Sequence, residues 1–108
     1  MSDKRIVLST AGSREEAQKI ARALVERRLA ACVNVVGPID SSYRWQGKVE
    51  SATEWLLLAK TTAAQFSAVR DAIRELHSYE LPECIQVAIE TGSEEYLAWI
   101  GESVEEAG

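Results

Sequence analysis

Residues 32–61, CVNVVGPIDSSYRWQGKVESATEWLLLAKT, hold two extended runs that meet at Gln46-Gly47-Lys48, and a short glycine-containing turn between β-prone segments predicts a hairpin. The first run, Cys32 to Val36, is checked at Gly37-Pro38, because proline cannot donate to a ladder and is tolerated only at edges, bulges or strand starts. Extended character resumes through Ser41-Ser42-Tyr43-Arg44-Trp45. The second run, Val49 to Thr61, centres on Trp55-Leu56-Leu57-Leu58-Ala59, apolar on both faces. Each arm covers about fourteen residues, on the order of 45 Å at ~3.3 Å per residue. A helix of about sixteen residues covers only about 24 Å. The far half of the hairpin, with Tyr43, Trp45 and Val49, therefore outruns any helical layer, and large aromatics on an uncovered ribbon mark a partner surface. The alternative is a C-terminal helix folded over them.

Working outward, Lys4 to Thr10 carries the β-branched, doubly apolar centre Ile6-Val7-Leu8 of a central strand. Ser13 and Glu16 form a capping-box pair, and Ala17, Ile20, Ala21, Leu24 and Val25 keep helical spacing to about Arg28. Thr62 and Gln65 offer a second capping box ahead of Phe66, Val69, Ile73 and Leu76, a helix reaching His77. Past Pro82, Cys84 to Glu90 alternates as a strand with Ile85, Val87 and Ile89 on one face. Ser93 caps a last helix whose buried side is Tyr96, Leu97, Ile100 and Val104, leaving Trp99 off the stripe. The order β-α-β-β-α-β plus a helix is the α+β, ferredoxin-like split βαβ sandwich, in one domain spanning 1–108. In that topology Cys32 and Cys84 lie on opposite edge strands and cannot pair.

The 108 residues, 46% hydrophobic and 27% charged, suit one small globular domain that needs no disulfide or structural metal. A net charge of -5 opposes polyanions, so nucleic acid and anionic membrane are excluded as first guesses. The longest apolar runs, Leu29 to Val33 and Trp55 to Ala59, fall far short of the roughly 20 residues of a membrane span. The N-terminal residues lack signal-peptide character, and two cysteines fit a reducing compartment, so a cytoplasmic protein is expected.

Motifs common on this fold are missing. There are no stacking aromatics of an RNA-binding sheet, no paired-cysteine metal loop and no phosphate-binding glycine loop. His77 is the single histidine and so the natural candidate for metal ligation or proton transfer, weighed against a role at the end of a helix dipole. Tyr79, Glu83 and Cys84 follow it closely, a cluster of types suited to zinc or copper but without a ligand spacing. Cys32, among Ala30, Ala31 and Val33, reads as a small core hydrophobe. Lys60, ahead of Thr61 and Thr62, stands at a strand-to-helix junction able to hold an anion or simply end in solvent. No nucleophile, base and orienting group stand at a diagnostic spacing, so no enzyme is expected.

Ala23-Leu24-Val25-Glu26, Leu29 to Asn34, Ser42-Tyr43-Arg44-Trp45-Gln46-Gly47-Lys48, Lys60-Thr61, His77-Ser78-Tyr79-Glu80-Leu81-Pro82-Glu83 and Tyr96 to Ile100 together resemble the CutA divalent-cation tolerance family. The resemblance implies a homotrimer built through the long hairpins and an architecture similar to PII signalling proteins. It also implies a ligand cleft between subunits gathering Tyr43, Trp45, Lys60, His77 and Tyr79, and a role in tolerance of divalent metals, copper above all. Copper-binding members have a cysteine and two adjacent histidines where this chain has Ser9 and Leu76-His77, so only His77 carries over as a metal ligand. Copper or another divalent cation is therefore expected to bind weakly. The competing expectation is a PII-like small-ligand sensor, or a scaffold for a protein partner, without a high-affinity metal site.

Overall fold

A computed structural model describes residues 2–105, in the order β1 (Lys4–Ala11), α1 (Arg14–Glu26), β2 (Cys32–Trp45), β3 (Lys48–Thr62), a 3-10 turn (Ala63–Gln65), α2 (Phe66–Leu76), β4 (Ile85–Ala88) and α3 (Glu94–Ser103). The four strands form one antiparallel sheet in the order β2-β3-β1-β4. The α+β split βαβ class is as expected, β1 is central, and Cys32 and Cys84 are free thiols toward opposite sheet edges.

Local chemistry explains the elements. Ser13 accepts the Glu16 N–H at 3.1 Å and opens α1. Arg27 closes it, and Arg28, with φ at 58°, turns the chain away. One face of the sheet and both main helices share a core of Val7, Ala11, Ile20, Leu24, Leu57 and Ile73, each at most 1% exposed. Because side chains alternate along a strand, Ile6 and Leu8 of β1 and Leu56 and Leu58 of β3 lie on the other face, paired as Leu8 with Leu58. Ile85 and Val87 of β4, opposite Leu8 and Ile6, share that face and are about half exposed.

Beyond Val36 and Trp55 the hairpin pairs only with itself, from Ile39 opposite Glu54 to Trp45 opposite Lys48. Gln46 and Gly47, with φ at 50° and 81°, make the two-residue turn. The resulting molecule measures 43 × 25 × 22 Å, its long axis comparable to the strand-length estimate. The C-terminal helix does not fold over the hairpin: α3 packs on β1 and β3, with Gly101 against Lys4, while Tyr43 and Val49 stay 42% and 71% exposed.

Four local expectations are corrected. β2 runs unbroken through Gly37-Pro38, a cis peptide, because a bulge between Val36 and Ile39 absorbs the missing donor on an edge strand. Thr62 makes no side-chain cap: Ala63 N–H goes to the Asp3 carbonyl at 2.7 Å, and the Gln65 side chain reaches the Glu105 carbonyl instead. β4 holds four residues rather than seven, and its apolar face is uncovered. Tyr96 lies outside the buried side of α3, at 43% exposure, with its ring 5.4 Å from that of Trp99.

Candidate functional site

The register that places Ala11 opposite Trp55 leaves Glu54 just past the end of β1, where the hairpin runs on alone. The loop between α2 and β4 folds back over this corner, and His77 holds it there. The backbone N–H of His77 closes α2 on the Ile73 carbonyl at 2.9 Å, and its imidazole has no exposed surface. Nε2 lies 2.6 Å from the Thr10 carbonyl, and Nδ1 accepts the Tyr79 N–H at 3.0 Å, so the ring is the Nε2–H tautomer spanning β1 and the loop. Glu16 stands 3.4 Å from the same Nδ1 and accepts the Ser78 hydroxyl at 3.0 Å.

Tyr79 lies beside this imidazole, ring centroids 4.6 Å apart, and passes over Gly12, where an added Cβ would meet its hydroxyl at 3.0 Å. That hydroxyl donates to Glu54 Oε2 at 2.8 Å. Burial first, then the bond to Glu54, holds the phenol above its ordinary value. Burial, followed by the negative charge of Glu54, also raises the Glu83 carboxyl. The Cys84 thiol is raised by burial, against the pull of Arg70 and Arg74, which keeps it a poor nucleophile.

Tyr79, Glu54 and Glu83 border a groove of about 710 Å³ between the hairpin and the loop. Its walls bring together three of the five expected cleft residues, Tyr43, Trp45 and Tyr79, with His77 buried behind Tyr79. Lys60 lies elsewhere within the chain, roughly 20 Å further along β3 than Glu54. It stands opposite Cys32, and its ammonium bonds the Asn34 side-chain oxygen. Sequence reasoning missed Thr10, Ser41, Ser42, Glu50, Glu54 and Glu80, which also line the groove. Glu54 had one visible signal, a carboxylate next to the most apolar run of the chain.

As a copper ligand His77 does not fit this arrangement. Both ring nitrogens are engaged, Ser9 brings only a buried hydroxyl without a hydrogen-bond partner among the described residues, and Leu76 offers no donor. Among the described residues no three His, Cys, Asp or Glu side chains are grouped to hold a metal ion. No described helix is long and apolar enough to cross a membrane.

The family model described as CutA1 divalent ion tolerance protein matches residues 5–103. The divalent-cation tolerance protein CutA of Archaeoglobus fulgidus is 48% identical over 96 residues, 89% of this chain and 93% of that one. Its counterpart of the same name from Thermus thermophilus is 47% identical over 100 residues, 93% and 97% of the two chains. The crystal structure of CutA from Xylella fastidiosa superimposes with a TM-score of 0.93 at 42% identity, covering 96% of this chain and all of that one, 100%.

Proposed function

The chain belongs to the CutA1 divalent ion tolerance protein family, and on that premise we propose that it serves divalent-cation tolerance as a non-enzymatic, homotrimeric binding protein of the cytoplasm. The observation that carries the assembly is the second face of the sheet. Ile6, Leu8, Leu56, Leu58, Ile85 and Val87 form an apolar surface on the side away from α1 and α2, and the hairpin projects beyond it with Tyr43 and Trp45. Such a surface is covered by a partner. A projecting arm that engages a different part of its neighbour makes a head-to-tail contact, which closes as a ring when the rotation allows.

Copper or another divalent cation is the cargo in this reading, and its binding to one chain is weak. At His77 a metal would have to displace the Tyr79 N–H or the Thr10 carbonyl. Native mass spectrometry of the metal-free protein, then titrated with copper and with zinc, tests both parts. A trimer taking up copper in multiples of three supports them, and a His77→Ala variant with unchanged affinity removes that residue from the site. A folded monomer on dilution overturns the assembly.

The engaged state of His77 favours a second reading, a PII-like sensor or protein-anchoring scaffold whose groove takes a small ligand or a partner segment. A trimer that stays metal-free until copper is in large excess is its signature. The two free thiols suit a reducing cytoplasm, and cell fractionation checks that placement.

A further inference from the structure

The loop over residues 79–82 has two sides. One closes the groove along the hairpin, and the other forms, with α2 and Cys84, a second cavity of about 540 Å³. Charge separates the two. The hairpin groove is lined by Glu50, Glu54, Glu80 and Glu83 without a lysine or arginine, whereas Arg70 and Arg74 line the second cavity, with Glu80 its one acid. In a chain of net charge -5, two guanidiniums on one cavity form a local positive field that attracts anions.

The donors there are under-used. Positions 70 and 74 stand one turn apart on α2 and share a face. Arg70 gives Nε to Asp71 Oδ1 at 3.1 Å, an exposed pair that leaves its two Nη groups without a partner among the described residues. Arg74 takes part in no ion pair among the described residues. Both positive charges act on the Cys84 thiol against its burial, so the two side chains converge on one end of the cavity. Burial prevails and keeps that thiol protonated at neutral pH, so it does not compete as an anion for the arginines. The backbone N–H groups of Glu80 and Leu81 are taken by no described backbone carbonyl. Leu81 and Pro82 make the remaining wall apolar.

Each guanidinium presents a planar fork of N–H donors that matches a carboxylate or phosphate two oxygens at a time. One fork is enough for a carboxylate, and two forks on one helical turn suit a dianion. An inorganic dianion would leave Leu81 and Pro82 untouched, and a cavity of this size with a few polar groups on an apolar wall suits a small organic molecule. We propose that this cavity binds a phosphate monoester, its dianionic head held between Arg70 and Arg74 and its organic group lying against Leu81 and Pro82. Both arginines belong to α2, across the sheet from the apolar face assigned to the assembly, so the site is read apart from subunit number.

The test is isothermal titration calorimetry of the full chain at low ionic strength with phenyl phosphate, and separately with inorganic phosphate and with sulfate. Saturable binding of one phenyl phosphate per chain is expected, at least threefold tighter than inorganic phosphate. Arg70→Gln and Arg74→Gln each weaken it at least fivefold, and Arg74→Lys, which keeps the charge and loses the fork, at least twofold. Because a phosphate monoester takes up its second proton near a pKa of about 6, affinity falls at least threefold between pH 7 and pH 5.5. Trp45→Ala, on the hairpin, leaves it unchanged. Arg74 is exposed and takes part in no ion pair among the described residues, so its variants are expected to fold, which circular dichroism checks. No saturable phenyl phosphate binding at millimolar concentration overturns the proposal, as does binding that neither folded arginine variant weakens. Inorganic phosphate or sulfate binding as tightly overturns the monoester assignment. Binding lost in Trp45→Ala but kept in the arginine variants places the ligand in the hairpin groove and overturns the site.

Discussion

The Tyr79 hydroxyl donates a 2.8 Å hydrogen bond to Glu54 Oε2, tying the loop after α2 to β3, the returning arm of the hairpin, where it leaves the rest of the sheet. Through Tyr79 N–H and the His77 ring the same loop is tied to Thr10. The corner at the end of β1 is thus held by a chain of hydrogen bonds, and its consequences are measurable.

Tyr79→Phe removes the donor from a carboxylate that is 7% exposed. Leaving a buried charged acceptor unpartnered costs about 1–3 kcal/mol, to be read from urea unfolding at neutral pH. The phenol also titrates above its ordinary value of 10.0 in the folded chain. A raised folded value means the native state holds the proton longer than the unfolded one, so the stabilisation is complete below that ordinary value and declines as pH rises through the alkaline range above it. In Tyr79→Phe this part of the alkaline decline disappears.

Glu83→Gln has the opposite sign. Burial and Glu54 raise the Glu83 carboxyl above its ordinary 4.5, so below that value both states are protonated and nothing is lost. As pH rises through the raised folded value, the native state bears a charge it disfavours and loses stability. The glutamine variant is therefore expected to melt higher than the parent at pH 7 and to match it near pH 4, a difference that thermal scans across that range detect.

Gly37→Ala tests the bulge. A Cβ at Gly37 would run into Trp55 Cδ1, closer than any real contact, so the indole or the strand must move. Overpacking of this kind costs about 1–3 kcal/mol, seen as a lower melting temperature and altered tryptophan fluorescence.

His77→Ala leaves the Thr10 carbonyl and the Tyr79 N–H without their partner in a site with no exposed imidazole surface. A loss of about 2–4 kcal/mol is expected from two unsatisfied backbone groups and the cavity. Amide exchange locates it: the Tyr79 N–H should exchange far faster in the variant, whereas the amides of α1 should follow the global stability alone.

Much of the fold was legible along the chain because its causes are local. The Ser13 cap, the helical spacing of Ile20 and Leu24, the doubly apolar Ile6-Val7-Leu8 and the turn at Gln46-Gly47 each act within a few residues. The length of the two arms against the length of a helix announced a hairpin that outruns its layer, and the pairing of Ile39 through Trp45 only with β3 is that hairpin. Of the site, Tyr43, Trp45 and Tyr79 were identified by type and family likeness, and the chain itself brings those three into one groove.

The rest depended on which distant residues meet. Thr62 has the right neighbours for a cap, but the Asp3 carbonyl competes for the Ala63 N–H, and Gln65 is drawn to Glu105. His77 has the chemistry of a ligand in any listing of residue types, and only packing against Thr10 and Tyr79 commits both its nitrogens. Glu54 is one of seventeen acidic residues in the sequence; the register of β3 on β1 and the fold-back of the Tyr79 loop make it the buried one among the described residues. Spacing along a chain determines its periodic elements because dihedral preference and side-chain period are properties of neighbours. Burial, hydrogen-bond partners and charge balance belong to pairs far apart in sequence, so the tertiary structure alone decided them.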